Sequence, residues 1–291
     1  MILPLLYEGK WPKLARFKFA SAGDESSCIV EALISRPLPL LRCAGRLCAV
    51  NASQVHAFLR LHPNIENVNF HPARQVDDGV IISDRLRQPD TPELAFVHPA
   101  RFLEYRLADE HLFTKFSFPF LEKAELSGRS PMRSLDPLLC TSLALTCLSF
   151  GNGCVANWIP TVPCPSVITL ACMVDESDEP VTAKSLAALL KMFPSVKSLA
   201  IHPTELHLFP HSILPEFLVE VATTCGSRML FQLEDFSFFS EIEDNNMDVD
   251  TVLLLLRAMP NLSSLFGLAD ENAQEVASEW LDQVGRVCTI E

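Results

Sequence analysis

Five cysteines crowd one region of the sequence, Cys140, Cys147, Cys154, Cys164 and Cys172, and thiolates are natural zinc ligands. A structural zinc knuckle sets two thiolates two to four residues apart so that both reach one metal. No two of these five are that close, and they read as core thiols. Asp244, Asn246, Asp248 and Asp250 alternate as calcium ligands do. Val249 takes the sixth loop position, where glycine makes the turn, and Leu255 the twelfth, where a glutamate would chelate, so the stretch reads as an acidic loop and helix cap. His71-Pro72 and His202-Pro203 close equivalent segments and read as turn residues. Gly151-Asn152-Gly153 lacks the further glycine of a phosphate-cradling loop, and Asp175, Glu176, Asp178 and Glu179 form a solvated carboxylate run. These residues give no catalytic set, no metal site and no cofactor. The alternative is an α/β enzyme whose site is assembled from distant residues.

What positions these residues follows from composition and pattern. Of 291 residues, 48% are hydrophobic, with 21 Pro against 10 Gly, which excludes a disordered chain and points to elements stopped by proline. No apolar run approaches a bilayer's thickness, since Val252 to Leu256 is broken by Arg257. Met1 to Leu6 lacks the basic start of a signal peptide. Ten cysteines without CxxC pairs fit a reducing compartment, so a cytoplasmic or nuclear protein is expected. The sequons at Asn51 and Asn261 are read as chance.

Charge is uneven. Lys and Arg number 23 against 36 Asp and Glu, a net of -13; residues 1–133 hold 17 basic and 15 acidic, residues 134–291 hold 6 and 21. The halves carry +2 and -15, so nucleic acid would be repelled, and a charge-steered partner of the second half should be basic.

One formula recurs along the chain. Thr182 can cap a helix with Leu186, Leu189, Leu190 and Phe193 on one stripe; Pro194 stops it, and Val196, Leu199 and Ile201 follow in the spacing LxxLxL of a short strand. The same proline and strand recur at Pro12, Pro63, Pro119, Pro165 and Pro260. Two further copies lack the proline: Leu145, Leu148 and Phe150; and Leu233, Phe236 and Phe238. Asn51 or Ser53, Asp248 or Asp250, and Asp270 are candidate helix caps, with Gly226 and Gly285 as helix stops. Residues 72–99 read as a loop or irregular insertion within a single 1–291 domain. A βα unit of this size cannot bury its own apolar face, so neighbours must stack, and the repetition of one strand formula favours an α/β solenoid with a parallel strand face and helices outside over the ordinary doubly wound sheet that the same strand and helix order could make.

The stretches Leu5-Leu6-Tyr7-Glu8-Gly9-Lys10-Trp11-Pro12-Lys13-Leu14 and Phe58-Leu59-Arg60-Leu61-His62-Pro63-Asn64-Ile65-Glu66 resemble the irregular leucine-rich repeats of fungal, mushroom-type F-box proteins. The resemblance covers most of the chain. It implies a leucine-rich-repeat horseshoe that holds a substrate for a cullin-RING ubiquitin ligase, with an F-box docking on the ligase adaptor. No F-box-like run precedes Trp11 here, so the adaptor is expected as a partner only if an F-box lies upstream. Ala22, Ala73, Arg129, Asp175, Thr204 and Asp270 stand where the consensus asparagine ladder would be.

The expected function is therefore a non-catalytic protein-interaction module, with no nucleic-acid or membrane partner. Its binding face, read from residues between and just beyond the apolar strand positions, comprises Arg16, Lys18, Asn67, Asn69, Lys123, Glu125, Thr169, Ser198, His202, Asp235, Ser237, Phe239 and Phe266.

Overall fold

A computed structural model describes residues 11, 13–18, 25–72, 96–105, 112–127, 135–151, 161–174, 182–203, 213–238, 247–267 and 271–290. Its elements are, in order, β1 (Arg16–Lys18), α1 (Glu25–Ser35), β2 (Cys43–Val50), α2 (Ala52–Leu61), β3 (Asn67–Pro72), β4 (Phe96–Val97) and β5 (Phe102–Tyr105). Then come α3 (Leu112–Lys115), β6 (Phe116–Ser117), β7 (Lys123–Leu126), α4 (Asp136–Thr141), β8 (Cys147–Phe150), β9 (Thr169–Val174), α5 (Ala183–Lys191) and β10 (Ser198–Pro203). The last are α6 (Leu214–Thr224), α7 (Ser227–Gln232), β11 (Asp235–Phe238), α8 (Val249–Ala258), β12 (Ser264–Gly267), α9 (Glu271–Val284) and β13 (Thr289–Ile290). Eleven strands form one open, mixed α/β architecture's parallel sheet in the order β1-β2-β3-β5-β7-β8-β9-β10-β11-β12-β13, so spatial order follows chain order; β4 and β6 make a separate small parallel pair.

The recurring formula has a structural cause at every position. Its proline occupies the second place of a tight turn, where its fixed φ is already correct. The turn closes through Ile65 N–H to His62 O (3.2 Å), Leu121 to Phe118 O (3.1 Å), Val196 to Phe193 O (3.2 Å) and Leu262 to Met259 O (3.1 Å). Leu145 to Ser142 O (3.1 Å) makes the same turn without proline. The next residue along starts the ladder: Arg42 N–H bonds Ala15 O, Glu66 bonds Arg42 O, Arg101 bonds Glu66 O, and the series continues to Ser263 on Glu234 O (2.7 Å).

The three apolar places of LxxLxL each become a buried row across the sheet. Leu41, Ile65, Ala100, Leu121, Leu145, Val167, Val196, Leu233 and Leu262 fill the first. Registered partners Phe17, Ala44, Val68, Leu103, Ala124, Leu148, Leu170, Leu199, Phe236 and Leu265 fill the second. Phe70, Tyr105, Leu126, Phe150, Cys172, Ile201 and Phe238 continue as the third. Helix side chains such as Leu186, Leu190, Leu218, Val221, Leu255 and Leu256 complete the same continuous core. Each buried leucine or phenylalanine contributes about 1.5–3 kcal/mol, so these rows dominate the fold's energetics.

Helix starts follow the side chains that cap them. Asn51 and Gln54 form a capping box on α2, Thr182 and Ser185 one on α5, and Asp248 accepts from Thr251 N–H (2.7 Å) at α8. Gly285 (φ 67°) ends α9 in a Schellman motif: its N–H reaches Asp282 O and that of Arg286 reaches Leu281 O (2.9 Å).

The structure refines the sequence expectations at several places. Gly226 follows the end of α6, whose C-cap is Cys225, with the positive φ expected there (82°), but its ψ of 156° is extended and it is at the same time the N-cap residue of a further helix, α7, which lies between α6 and the strand from Asp235. The 72–99 loop is too wide at both ends, because Pro72 ends β3 and Phe96–Val97 is a strand; residues 73–95 lie outside those described. Strands β2 and β5 are additional copies, hidden because Ala44 and Ala100 stand where the formula has large residues. Helix α1 carries the intervening unit. The asparagine-ladder positions Ala22, Ala73, Arg129, Asp175, Thr204 and Asp270 all lie outside the described residues.

Candidate interaction face

With one face of the sheet committed to the core, the other is defined by strand alternation. Its first row is Arg16, Cys43, Asn67, Phe102, Lys123, Cys147, Thr169, Ser198, Asp235, Ser264 and Thr289; its second is Glu104, Glu125, Ser149, Ala171, Ala200, Ser237 and Phe266, with Lys18, Gly45 and Asn69 leading into it. Of the thirteen residues expected here, Arg16, Lys18, Asn67, Asn69, Lys123, Glu125, Thr169, Ser198, Asp235, Ser237 and Phe266 occupy these rows. His202 lies one alternation further along β10, opposite Met173. Phe239 lies outside the described residues.

Sequence reasoning missed Cys43, Gly45, Phe102 and Glu104 because β2 and β5 were unseen. Cys147, Ser149, Ala171, Ala200 and Ser264 were legible from strands already found, by the alternation that places Ser198.

Three stretches of the face differ in chemistry. Around β3, β5 and β7 polar groups interlock: Asn69 Nδ2 donates to Glu104 Oε2, and His71 Nε2 lies 3.3 Å from Glu104 Oε1. Glu104 is only 7% exposed, and a carboxyl group so buried is costly without a hydrogen-bond partner, which the Asn69 amide supplies. Next door, Lys123 Nζ meets Glu125 Oε1 at 2.6 Å and stands 5.4 Å over the Phe102 ring. The hydrogen bond that Lys123 donates to Glu125, with smaller help from surrounding negative charge, pushes the Lys123 ammonium pKa up. Across β8, β9 and β10 the side chains are small: Cys147, Ser149, Thr169, Ala171, Ser198 and Ala200 make a shallow trough. At β11 and β12 Asp235 and Ser237 stand beside Phe266, 37% exposed.

The candidate reactive groups resolve individually. Of the five cysteines, only Cys164 and Cys172 are buried; Cys140 is exposed, Cys147 half-buried on the open face, and Cys154 outside the described residues, so the core-thiol reading holds for two. Burial pushes the Cys172 thiol up to about 12, and burial likewise raises that of Cys147 against the pull of Lys123. Both are poor nucleophiles near neutral pH. His71 and His202 sit on β3 and β10, five strand steps apart, or roughly 24 Å, and form no pair. Burial lowers the His202 pKa. Among the described residues no three His, Cys, Asp or Glu side chains group as metal ligands, and no helix is long and apolar enough to cross a membrane. Asp248 caps α8 and Asp250 lies in its first turn, while Asp244 and Asn246 lie outside the described residues.

Compared with models of protein families and with curated proteins, the chain matches none.

Proposed function

We propose that the chain is a leucine-rich-repeat-like solenoid whose open sheet face binds a protein partner without catalysing a reaction on it. The observation that carries this reading is the division of labour on every strand. Each LxxLxL formula spends its apolar residues on one continuous core, and the residues between them form ordered rows on the other face. Such a face offers a partner one contact position per strand across the sheet, which suits an extended or curved protein surface. Its small-residue trough lets backbone or a helix approach closely between two charged ends. The resemblance to fungal F-box proteins supplies the setting: the bound protein is a ligase substrate, and the adaptor is engaged only if an F-box lies upstream.

Paired substitutions on opposite faces test the reading. Ala200→Arg fills the trough, and Glu216→Arg alters an exposed helix position. A partner recovered with the wild type and with Glu216→Arg, but lost with Ala200→Arg at unchanged thermal stability, is the expected result. Loss with the helix substitution alone would overturn it. Co-purification of the full-length protein with a ligase adaptor tests the setting separately.

A further inference from the structure

The described residues contain one non-glycine with positive φ, Arg46 at 56°, and it falls inside a strand. The left-handed region costs a side-chain-bearing residue about 1–3 kcal/mol, and such strain persists where the surroundings enforce it, often at ligand sites. Here the cause is a bulge. Ala44 pairs with Val68 and Leu47 with Phe70, so Gly45 and Arg46 together face the single residue Asn69. A bulge bends its strand and re-aims a side chain. The result is a depression of about 290 Å³ on the open sheet face, with Arg46 and Lys18 on its rim, Asn67 and Asn69 opposite, and Phe102 as an aromatic wall.

The chemistry of this depression is cationic. The Lys18 stem lies over Gly45, where an added Cβ would stand 3.1 Å from Lys18 Cγ, and this lays the ammonium group along the rim. Among the described residues neither Lys18 nor Arg46 has an acidic partner, whereas the cations of neighbouring strands are paired, Arg42 with Glu66, Arg101 with Glu122 and Lys123 with Glu125. Arg16 adds a third charge two residues along β1. The volume takes one side chain, not a cofactor.

We propose that this depression seats an oxyanion-bearing side chain of a partner protein, carboxylate or phosphoryl, clamped between Arg46 and Lys18 with the amide of Asn67 beside it. The planar fork of Arg46 suits two oxygens at once, which Lys18 complements as a point charge. The proposal rests on the open face being the partner surface and names the chemistry at its first strands. The bulge explains why the strained residue is an arginine: glycine would relieve the backbone and lose the fork.

Isotope-labelled protein titrated with two short acetylated peptides, Gly-Glu-Glu-Gly amide and its phosphoserine counterpart, tests this, with Gly-Lys-Lys-Gly amide as control. The anionic peptides should shift the backbone amides of Gly45, Arg46 and Asn69, and the tighter of the two names the oxyanion. Arg46→Gly should weaken binding about tenfold while holding or raising resistance to urea, because glycine accepts positive φ without strain. Lys18→Gln, at an exposed edge position, should weaken it several-fold. No shift with either anionic peptide, equal shifts with the lysine control, or undiminished binding by both variants would overturn the site. In each of those cases a partner still lost to Ala200→Arg leaves the face itself standing.

Discussion

Replacing His98 by asparagine should remove a defined part of this protein's sensitivity to acid. His98 is fully buried, its ring lying 5.8 Å from that of Phe118, and its Nδ1 accepts the Ala100 N–H (3.2 Å). Burial in these apolar surroundings lowers its pKa to about 4, against a weaker opposing pull from the His62 carbonyl. Since the folded value is depressed from an ordinary 6.5, the unfolded chain takes up the proton first. Stability is therefore complete above that ordinary value and is lost as pH falls from it toward the folded one. Linkage over this interval makes the loss about 2 kcal/mol at about pH 5 and about 3 kcal/mol at the acid limit. Asparagine cannot titrate, and its carbonyl can accept the N–H two residues on just as the ring nitrogen does. Urea unfolding at about pH 7.5 and about pH 5 should therefore show the wild type losing about 2 kcal/mol more than His98→Asn, all other titrations being common to both chains. Parallel pH profiles for the two proteins would refute the reasoning.

Thr182→Ala removes the half of the α5 capping box in which the Thr182 hydroxyl accepts from Ser185 N–H, and should cost about 1 kcal/mol in thermal or urea unfolding, with Thr182→Asn recovering most of it. At the other end of the face, a partner drawn by the acidic half should be basic where it meets Asp235 and Phe266. Asp235→Asn should then slow association and flatten its salt dependence, while Phe266→Ala should shorten the lifetime of the complex, both readable by surface plasmon resonance. Binding indifferent to salt and to both substitutions would assign the acidity to solubility alone.

What the sequence made legible was set by how strongly each copy of the formula states its large apolar residues. Copies with Leu, Val, Ile or Phe at all three places, as at Val196, Leu199 and Ile201, announce turn, strand and buried face together. In β5 Ala100 and in β2 Ala44 fill core places with a methyl group, and the bulge at Gly45 and Arg46 breaks the period of two. Strand β7 stays legible with Ala124 because Leu121 and Leu126 keep their spacing on either side; the bulge in β2 and the alanine at the first place of β5 remove that frame, although backbone ladders hold both strands. Helix α7 escaped for a related reason: Ser227 to Gln232 is too short for a helical stripe to stand out, and Gly226 has the residue type of a stop. The open face was legible wherever its strand was, since alternation alone assigns it. The pairing of Asn69 and His71 with Glu104 was not, because it joins strands separated by a long insertion.

The two ends of the face have opposite electrostatic character, and the reason lies in which strands pair their charges internally. Toward β1 and β2, Arg16, Lys18 and Arg46 lack acidic partners among the described residues, while Lys123 is neutralised by Glu125 on its own strand. Toward β11, Lys197 is taken by Glu234 on the turn side, 2.6 Å away, which leaves Asp235 as the charge the open face presents. The small side chains of β8, β9 and β10 separate the two ends by several strand spacings of about 4.8 Å each, more than the screening length at physiological salt. Each end therefore acts on whatever lies directly over it, and a single charge on a partner cannot satisfy both. A partner spanning the whole face must carry an acidic group over β2 and a basic one over β11, and that polarity fixes the direction in which it lies across the strands.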